Sequence, residues 1–379
     1  MQRMWQIDVA RGLMLVLMTI THLPTRFSEP AGQPLGFVSA AEGFVLLSAF
    51  MAGLVYTQRM QASSIAAMRS AFWQRALKLY VCQATLLVFL FTVIAAVGLR
   101  IDHPAVRNLL DFYLQEPVRA LLGGLALVYN PPLLDILPLY VLFMLVSPVV
   151  LSAGLRGGWT PILLASLALW LASQFDLSET LYAATLARTP LHVPYRETGA
   201  FDTFAWQFVW VLGLWMGCEH ALAEAPPPRP PRWMVVVALA IALAGFVWRH
   251  WIGQTAFPAH PQWSYLFDKW QLGPLRLIEF MALLLLAMRY GTALLSKLPR
   301  PHWLESLGRA SLPVFCAHLV VVLIALAWFG EANAQRSWGI DIGIVVGGFA
   351  VLFAVARISN EIDAWLAQRS VALRAHARS

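Results

Sequence analysis

Charge is scarce in this chain. Only 12% of its 379 residues are Asp, Glu, Lys or Arg, against 59% hydrophobic, and the mean hydropathy is +0.65. That balance excludes an ordinary soluble protein, and the length excludes a lone membrane anchor. Alternation is missing as well: the apolar runs are continuous over about 20 residues, which excludes a β-barrel. Cysteine is almost absent. Cys82, Cys218 and Cys316 each fall inside an apolar run with no close-spaced partner, so we expect neither a disulfide framework nor a metal site, and read all three as small core residues. There is no Walker loop, no dinucleotide fingerprint and no G-x-S-x-G elbow, which removes support for ATP-driven transport within the chain and for a permanently bound cofactor. The first apolar run lacks a small-x-small cleavage site, so no cleavable signal peptide is expected.

What is present reads as an all-α polytopic membrane protein of about ten transmembrane helices. The spans fall near 6–25, 38–57, 77–98, 133–152, 160–175, 201–220, 233–251, 271–290, 310–329 and 338–357. An even number puts both termini on one side. The cations choose the cytoplasm: Arg59, Arg69, Arg75 and Lys78, then Arg229 and Arg232, then Lys297, Arg300 and Arg309, and finally Arg369, Arg374 and Arg378 would lie inside. The opposite loops hold most of the acids, including Glu29, Asp102, Asp111, Glu116, Asp176, Glu179 and Glu197. This scatter between spans explains the net charge of +7 better than a nucleic-acid partner does; membrane lipids are the expected surroundings. Residues 59–74 are polar enough to lie along the inner surface as an amphipathic helix. Outer loops 99–132, 176–200 and 252–270 should carry short helices that cap an external cavity, and 225–232 is a stiff Pro-rich connector. No internal repeat is evident, and residues 1–379 read as one membrane domain with a short basic tail from about 358.

The first span is unusual. It carries Asp8, Arg11 and His22; on a helix the last two lie roughly 20° apart in azimuth and about 16 Å apart along the axis. Ionisable groups facing hydrocarbon cost on the order of 3 kcal/mol each, so this face should line a protein-walled path. Glu42, near the outer start of the second span, could meet His22 and orient it as a general base for a hydroxyl. The plainer alternative is a hydrogen bond that ties two spans together. Arg75 and Lys78, i and i+3, share a face and could hold the phosphates of a cytosolic thioester, or simply anchor the span. Arg276 and Glu279 are likewise i, i+3 and could pair with each other. Ser311 and His318, seven residues apart, share a face of the ninth span. Asp202, Trp206 and Gln207 at the outer start of the sixth could form a sugar-binding set or ordinary belt residues.

These residues in this order resemble a known pattern. R-M-W-Q-I-D-V-A-R-G from Arg3, followed by His22, is similar to the opening of the acyltransferase-3 superfamily of ten-span enzymes. A-A-E-G-F-V-L-L-S-A-F, F-W-Q-R-A-L-K-L-Y, D-I-L-P-L-Y-V-L-F-M-L-V-S-P, A-W-Q-F-V-W-V-L-G-L-W-M-G and S-L-P-V-F-C-A-H look more narrowly like the OpgC family, to about residue 320. The resemblance implies an acyltransferase-3-like bundle in the bacterial inner membrane that moves an acyl group, succinyl in that family, from a cytosolic acyl-CoA to hydroxyls of an osmoregulated periplasmic glucan. It gives His22 the role of activating the acceptor hydroxyl, and the reading of the spans adds Glu42 as the residue that would orient it. Arg75 and Lys78 would handle the donor, with Lys in place of the superfamily's second Arg; Asp8 and Arg11 would lie along the donor's path. Asp202, Trp206, Gln207, Arg276, Glu279, Ser311 and His318 would belong to the acceptor side or support it. Two departures stand out: S-A-F, Ser48 to Phe50, replaces S-G-F, and Asp202-Thr203 replaces an Asn-Pro pair. A homodimer is compatible with this reading. The competing class is a transporter or flippase for a small anion or lipid-linked sugar, with the polar face as its path and proton relay.

Overall fold

A chain that crosses hydrocarbon must satisfy its backbone within each segment, and the expected spans all fall on helices. The computed structural model describes residues 4–101, 103–224 and 229–376; Arg3, Asp102, residues 225–228 of the Pro-rich connector and Arg378 lie outside the described residues. The elements run α1 Trp5–His22, α2 Ser28–Gly32, α3 Ala40–Ala62, α4 Ile65–Phe89, α5 Ala95–Ile101, α6 Pro104–Gln115, α7 Pro117–Leu125, α8 Ile136–Gly157, α9 Thr160–Ser173, α10 Leu177–Ala184, α11 Thr203–Leu222, α12 Arg232–Ile252, α13 Pro274–Lys297, α14 His302–Arg309, α15 Ser311–Phe329 and α16 Trp338–His376. A π-helical turn, Leu90–Ile94, carries α4 into α5. There is no strand among the described residues.

Among the described residues, seven helices are long and apolar enough to cross a membrane: α3, α4 with its continuation to Gly98, α8, α12, α13, α15 and α16 to Arg369. The pair Thr160–Ser173 and Leu177–Arg188, bent by 82°, makes up to eight. Helices of 18 and 20 residues also form over the first and sixth expected spans, α1 and α11, but their polar side chains hold their hydropathy lower. The short helices expected in the loops are α6, α7 and α10, with 3-10 turns at Leu186–Arg188, Tyr195–Glu197 and Pro261–Phe267. The separate amphipathic surface helix at 59–74 does not form. α3 runs on to Ala62, and α4 starts at Ile65 because Ser64 turns extended and its hydroxyl caps Ala67 N at 3.1 Å. α16 likewise carries the basic tail on as helix to His376.

By packing, the chain forms two units, Met1–Gly32 with Gly291–Ser379, and Gln33–Tyr290. In the first, α1 lies against α14 at backbone contact. A Cβ on Gly12 would stand 2.0 Å from Leu304 O, and one on Gly308 1.8 Å from Asp8 O. Close approach of this kind is what small residues give to helix pairs in lipid, where apolar burial supplies little. α1 stops at Leu23, which turns extended before Pro24. Asp341 of α16 is fully buried and takes Arg26 Nε at 2.8 Å and Arg336 Nη1 at 3.4 Å.

The second unit is centred on the crossing of α3 and α11. Gly217 meets Phe50 O and Gly53 meets Leu214 O, where a Cβ would be 2.0 and 2.2 Å away. Ala49, the departure within S-A-F, is fully buried opposite Gly213; the glycine on the facing helix leaves the space that the alanine fills. The N-terminus of α3 closes with a capping box, Ser39 accepting from Ala41 N and Glu42 from Ser39 N.

Candidate functional site

The polar face of α1 faces α15. Arg11 Nη2 donates to Ser311 Oγ, and eleven residues further on His22 Nδ1 meets His318 Nε2 at 3.2 Å, the rings stacked at 5.5 Å between centroids. Both contacts advance in the same direction along both helices, so α1 and α15 run parallel. His318 is fully buried, whereas His22 and Arg11 are half-buried. The shared face of Ser311 and His318, expected from their spacing, is the one turned to α1.

Tautomers follow from the partners. His318 Nδ1 lies 2.6 Å from Phe315 O, and a carbonyl only accepts, so Nδ1 carries the proton. A neutral His318 then offers the Nε2 lone pair, and His22 must donate to it from Nδ1. That leaves the lone pair of a neutral His22 on Nε2. Asp8 is buried in the first turn of α1, where its charge complements the positive end of the helix dipole.

In the second unit, Glu42 accepts from Ser39 Oγ at 2.7 Å and from Arg276 Nε, both carboxylate and guanidinium being essentially inaccessible. Within the first unit His22 meets His318, and within the second the cation that Glu42 takes is Arg276. Removing one member of such a buried pair costs about 3–5 kcal/mol. Arg276 and Glu279 share a helix face but do not pair with each other. Glu279 accepts Phe37 N at 3.1 and 3.3 Å, in a space left by Gly36 and Gly245, whose Cβ atoms would stand 1.7 and 2.0 Å from its Oε1. A spacing of three fixes a shared face, but the nearer acceptor decides the bond.

Arg75 and Lys78 lie well inside α4, Arg75 half-buried and Lys78 exposed; Arg75 lies within electrostatic reach of Tyr56. Asp202 caps α11 through Ala205 N at 2.8 Å, and burial pushes its carboxyl above the usual range. Trp206 is fully buried with Nε1 on Trp270 O at 3.0 Å, and Gln207 is tied to Ser166. Of that expected set Asp202 stands at the wall of a cavity.

Two titratable groups outside the expected set are Asp135 and Lys269. Asp135 precedes α8; burial pushes its carboxyl up to about 6, against an amide bond from Ala200. Burial pushes the Lys269 ammonium down, opposed by Glu42 and Asp135, and its Nζ lies 4.6 Å from the Trp270 ring centroid. Asp135 opens the D-I-L-P-L-Y stretch, but nothing in its spacing points to a partner 65 residues away. Among the described residues no group of three or more His, Cys, Asp and Glu could hold a metal ion, and none of the three cysteines is in a disulfide, Cys218 being buried and the others half-buried.

Long apolar helices carrying buried ion pairs and a histidine pair define a polytopic helical membrane protein with an ionisable interior. The family model described as OpgC protein matches residues 3–364. The chain belongs to the OpgC family. Neither the curated proteins nor the solved structures give a match.

Proposed function

We propose that the protein is an inner-membrane O-acyltransferase that moves an acyl group, succinyl by family resemblance, from a cytosolic acyl-CoA to a hydroxyl of an osmoregulated periplasmic glucan. The observation that carries this reading is the His22–His318 contact, because it fixes Nε2 as the basic nitrogen of a neutral His22. Nε2 takes the hydroxyl proton as the oxygen attacks the thioester carbonyl. As the C–S bond breaks, the departing sulfur takes that proton and His22 returns to neutral. His318 keeps the ring in one tautomer and accepts from Nδ1 throughout. Arg11, held by Ser311 about 16 Å from His22 along the helix axis, contributes charge to the donor; Arg75 and Lys78 hold donor phosphates.

We also propose ten spans with both termini in the cytoplasm. Parallel α1 and α15 require an odd number of crossings between them; α3, α4, α8, the bent α9–α10 pair, α11, α12 and α13 supply seven. In this count α11 crosses along with the bent pair, although it is less apolar than the others.

The test is purified protein with a radiolabelled succinyl thioester and a neutral glucan. Wild type should release free coenzyme A only when glucan is present, and His22→Ala should release none above background. Uptake by sealed vesicles without thioester consumption would instead identify a transporter.

A further inference from the structure

Within the second unit lies a cavity of about 870 Å3, walled by parts of 127–142, 178–204 and 264–271. Its volume is that of a small-molecule site, and the segments that build it are loops and helix ends. Acids outnumber cations along its wall. Asp135, Asp202 and Asp268 line it against one lining cation, Arg196, while Lys269 sits on the Trp270 ring, 4.6 Å from its centroid, within electrostatic reach of Asp135. A phosphate-bearing donor would be repelled there, whereas a neutral polyol would find acceptors.

Those acceptors are held in place. Asp135 Oδ2 takes Ala200 N at 3.1 Å, Asp202 Oδ1 takes Ala205 N at 2.8 Å, and Asp268 Oδ1 takes Gln271 N at 2.7 Å. Asn130, at the same wall and 9% exposed, donates Nδ2 to Leu127 O and Thr198 O at 3.3 and 2.6 Å, which fixes its amide. Its Oδ1 has no hydrogen-bond partner, and a buried acceptor left unmade costs about 1–3 kcal/mol. Aromatic faces complete the wall: Tyr195, Tyr265 and Trp270 are 36%, 56% and 41% exposed. The backbone of Trp270 is fixed by bonds from Asp202 N and Trp206 Nε1, both at 3.0 Å. Among the described residues, every non-glycine residue in left-handed backbone, namely Leu127, Leu133, Asp176, His192 and Leu272, lies in or beside these segments. Such strain persists where surrounding structure enforces it.

We propose that this cavity is a saccharide subsite, in which a neutral hexose oligosaccharide lays a sugar face on Trp270 and donates hydroxyls to Asp135, Asp202 and Asn130. It rests on the carbohydrate-acceptor reading above and gives that acceptor a place. Trp206 and Gln207 are structural: one is sealed in the packing and the other is spent on Ser166.

The experiment measures binding of neutral gluco-oligosaccharides of two to eight units to the full-length protein in detergent, without donor, by titration calorimetry. Wild type binds. Trp270→Leu weakens binding by about ten-fold, the loss of one aromatic face, and Trp270→Phe restores most of it. Glucuronate oligosaccharides of the same length bind more weakly than neutral ones, and Asp135→Asn narrows that preference. No binding by wild type, or equal binding by wild type and Trp270→Leu, overturns the proposal. Because no donor is present, these results are independent of whether His22 is the base.

Discussion

A neutral imidazole has one lone pair, and its neighbours decide which nitrogen holds it. The chain Phe315 O, His318, His22 makes that decision here, which in the proposed mechanism makes His318 a positioning residue. His318→Ala should lower kcat by about two orders of magnitude, the size of a general-base contribution, leave the acceptor KM near its wild-type value and move the pH profile. His318→Gln, whose amide oxygen can accept from Nδ1, should recover part of the rate. Stopped-time release of coenzyme A across pH measures all three; an unchanged pH profile in His318→Ala would remove the residue from the account. Asp135 gives a second residue-scale test. Its carboxyl, pushed up to about 6 by burial, keeps a proton that the unfolded chain loses near pH 4. Stability therefore falls as pH rises from about 4 to 6, by up to about 3 kcal/mol, and Asp135→Asn flattens that slope. Melting midpoints in detergent across this range provide the measurement. Periodicity shows that Ser311 and His318 share a face, and it shows the same for Arg276 and Glu279. It does not show which neighbouring helix brings a better acceptor, which is why the partners of Glu42 and Glu279 emerge only in three dimensions.

Helix pairs in this protein meet at backbone contact, and glycines set the distance. Gly12 and Gly308 do so for α1 and α14, Gly213 and Gly217 for α11 on α3. Gly308→Ala should push α14 off α1 and Gly217→Ala should part α11 from α3, because the atoms opposite are backbone and cannot turn aside. Both variants should lower the yield of protein that survives limited proteolysis in the membrane, whereas Gly343→Ala, with open space around its Cβ position, should not. At this scale much was legible beforehand: the long apolar runs could only be helices, and each has become one. The break at 59–74 was not. Its polarity suggested a surface helix, but the capping geometry of Ser64 splits the stretch between α3 and α4.

The molecule as a whole combines an apolar exterior with a small set of ionisable groups that the sequence displays as exceptions. That contrast made the polar face of α1 readable from Asp8, Arg11 and His22 alone. Loop residues such as Asp135 and Lys269 carried no comparable signal, since charge in a loop is ordinary. The ten-span topology predicts that a cysteine placed at Gly339, in the first turn of α16, is labelled from the periplasm by an impermeant maleimide, while one at Ser64 is labelled only after lysis. The reverse pattern would invert the protein in the membrane. The central claim, that His22 activates a glucan hydroxyl for acyl transfer, is tested most directly by mass spectrometry of periplasmic glucans from cells carrying wild type or His22→Ala at equal membrane levels. The account predicts glucans heavier by an acyl group with wild type and unmodified glucans with the variant; equally acylated glucans in both would contradict it.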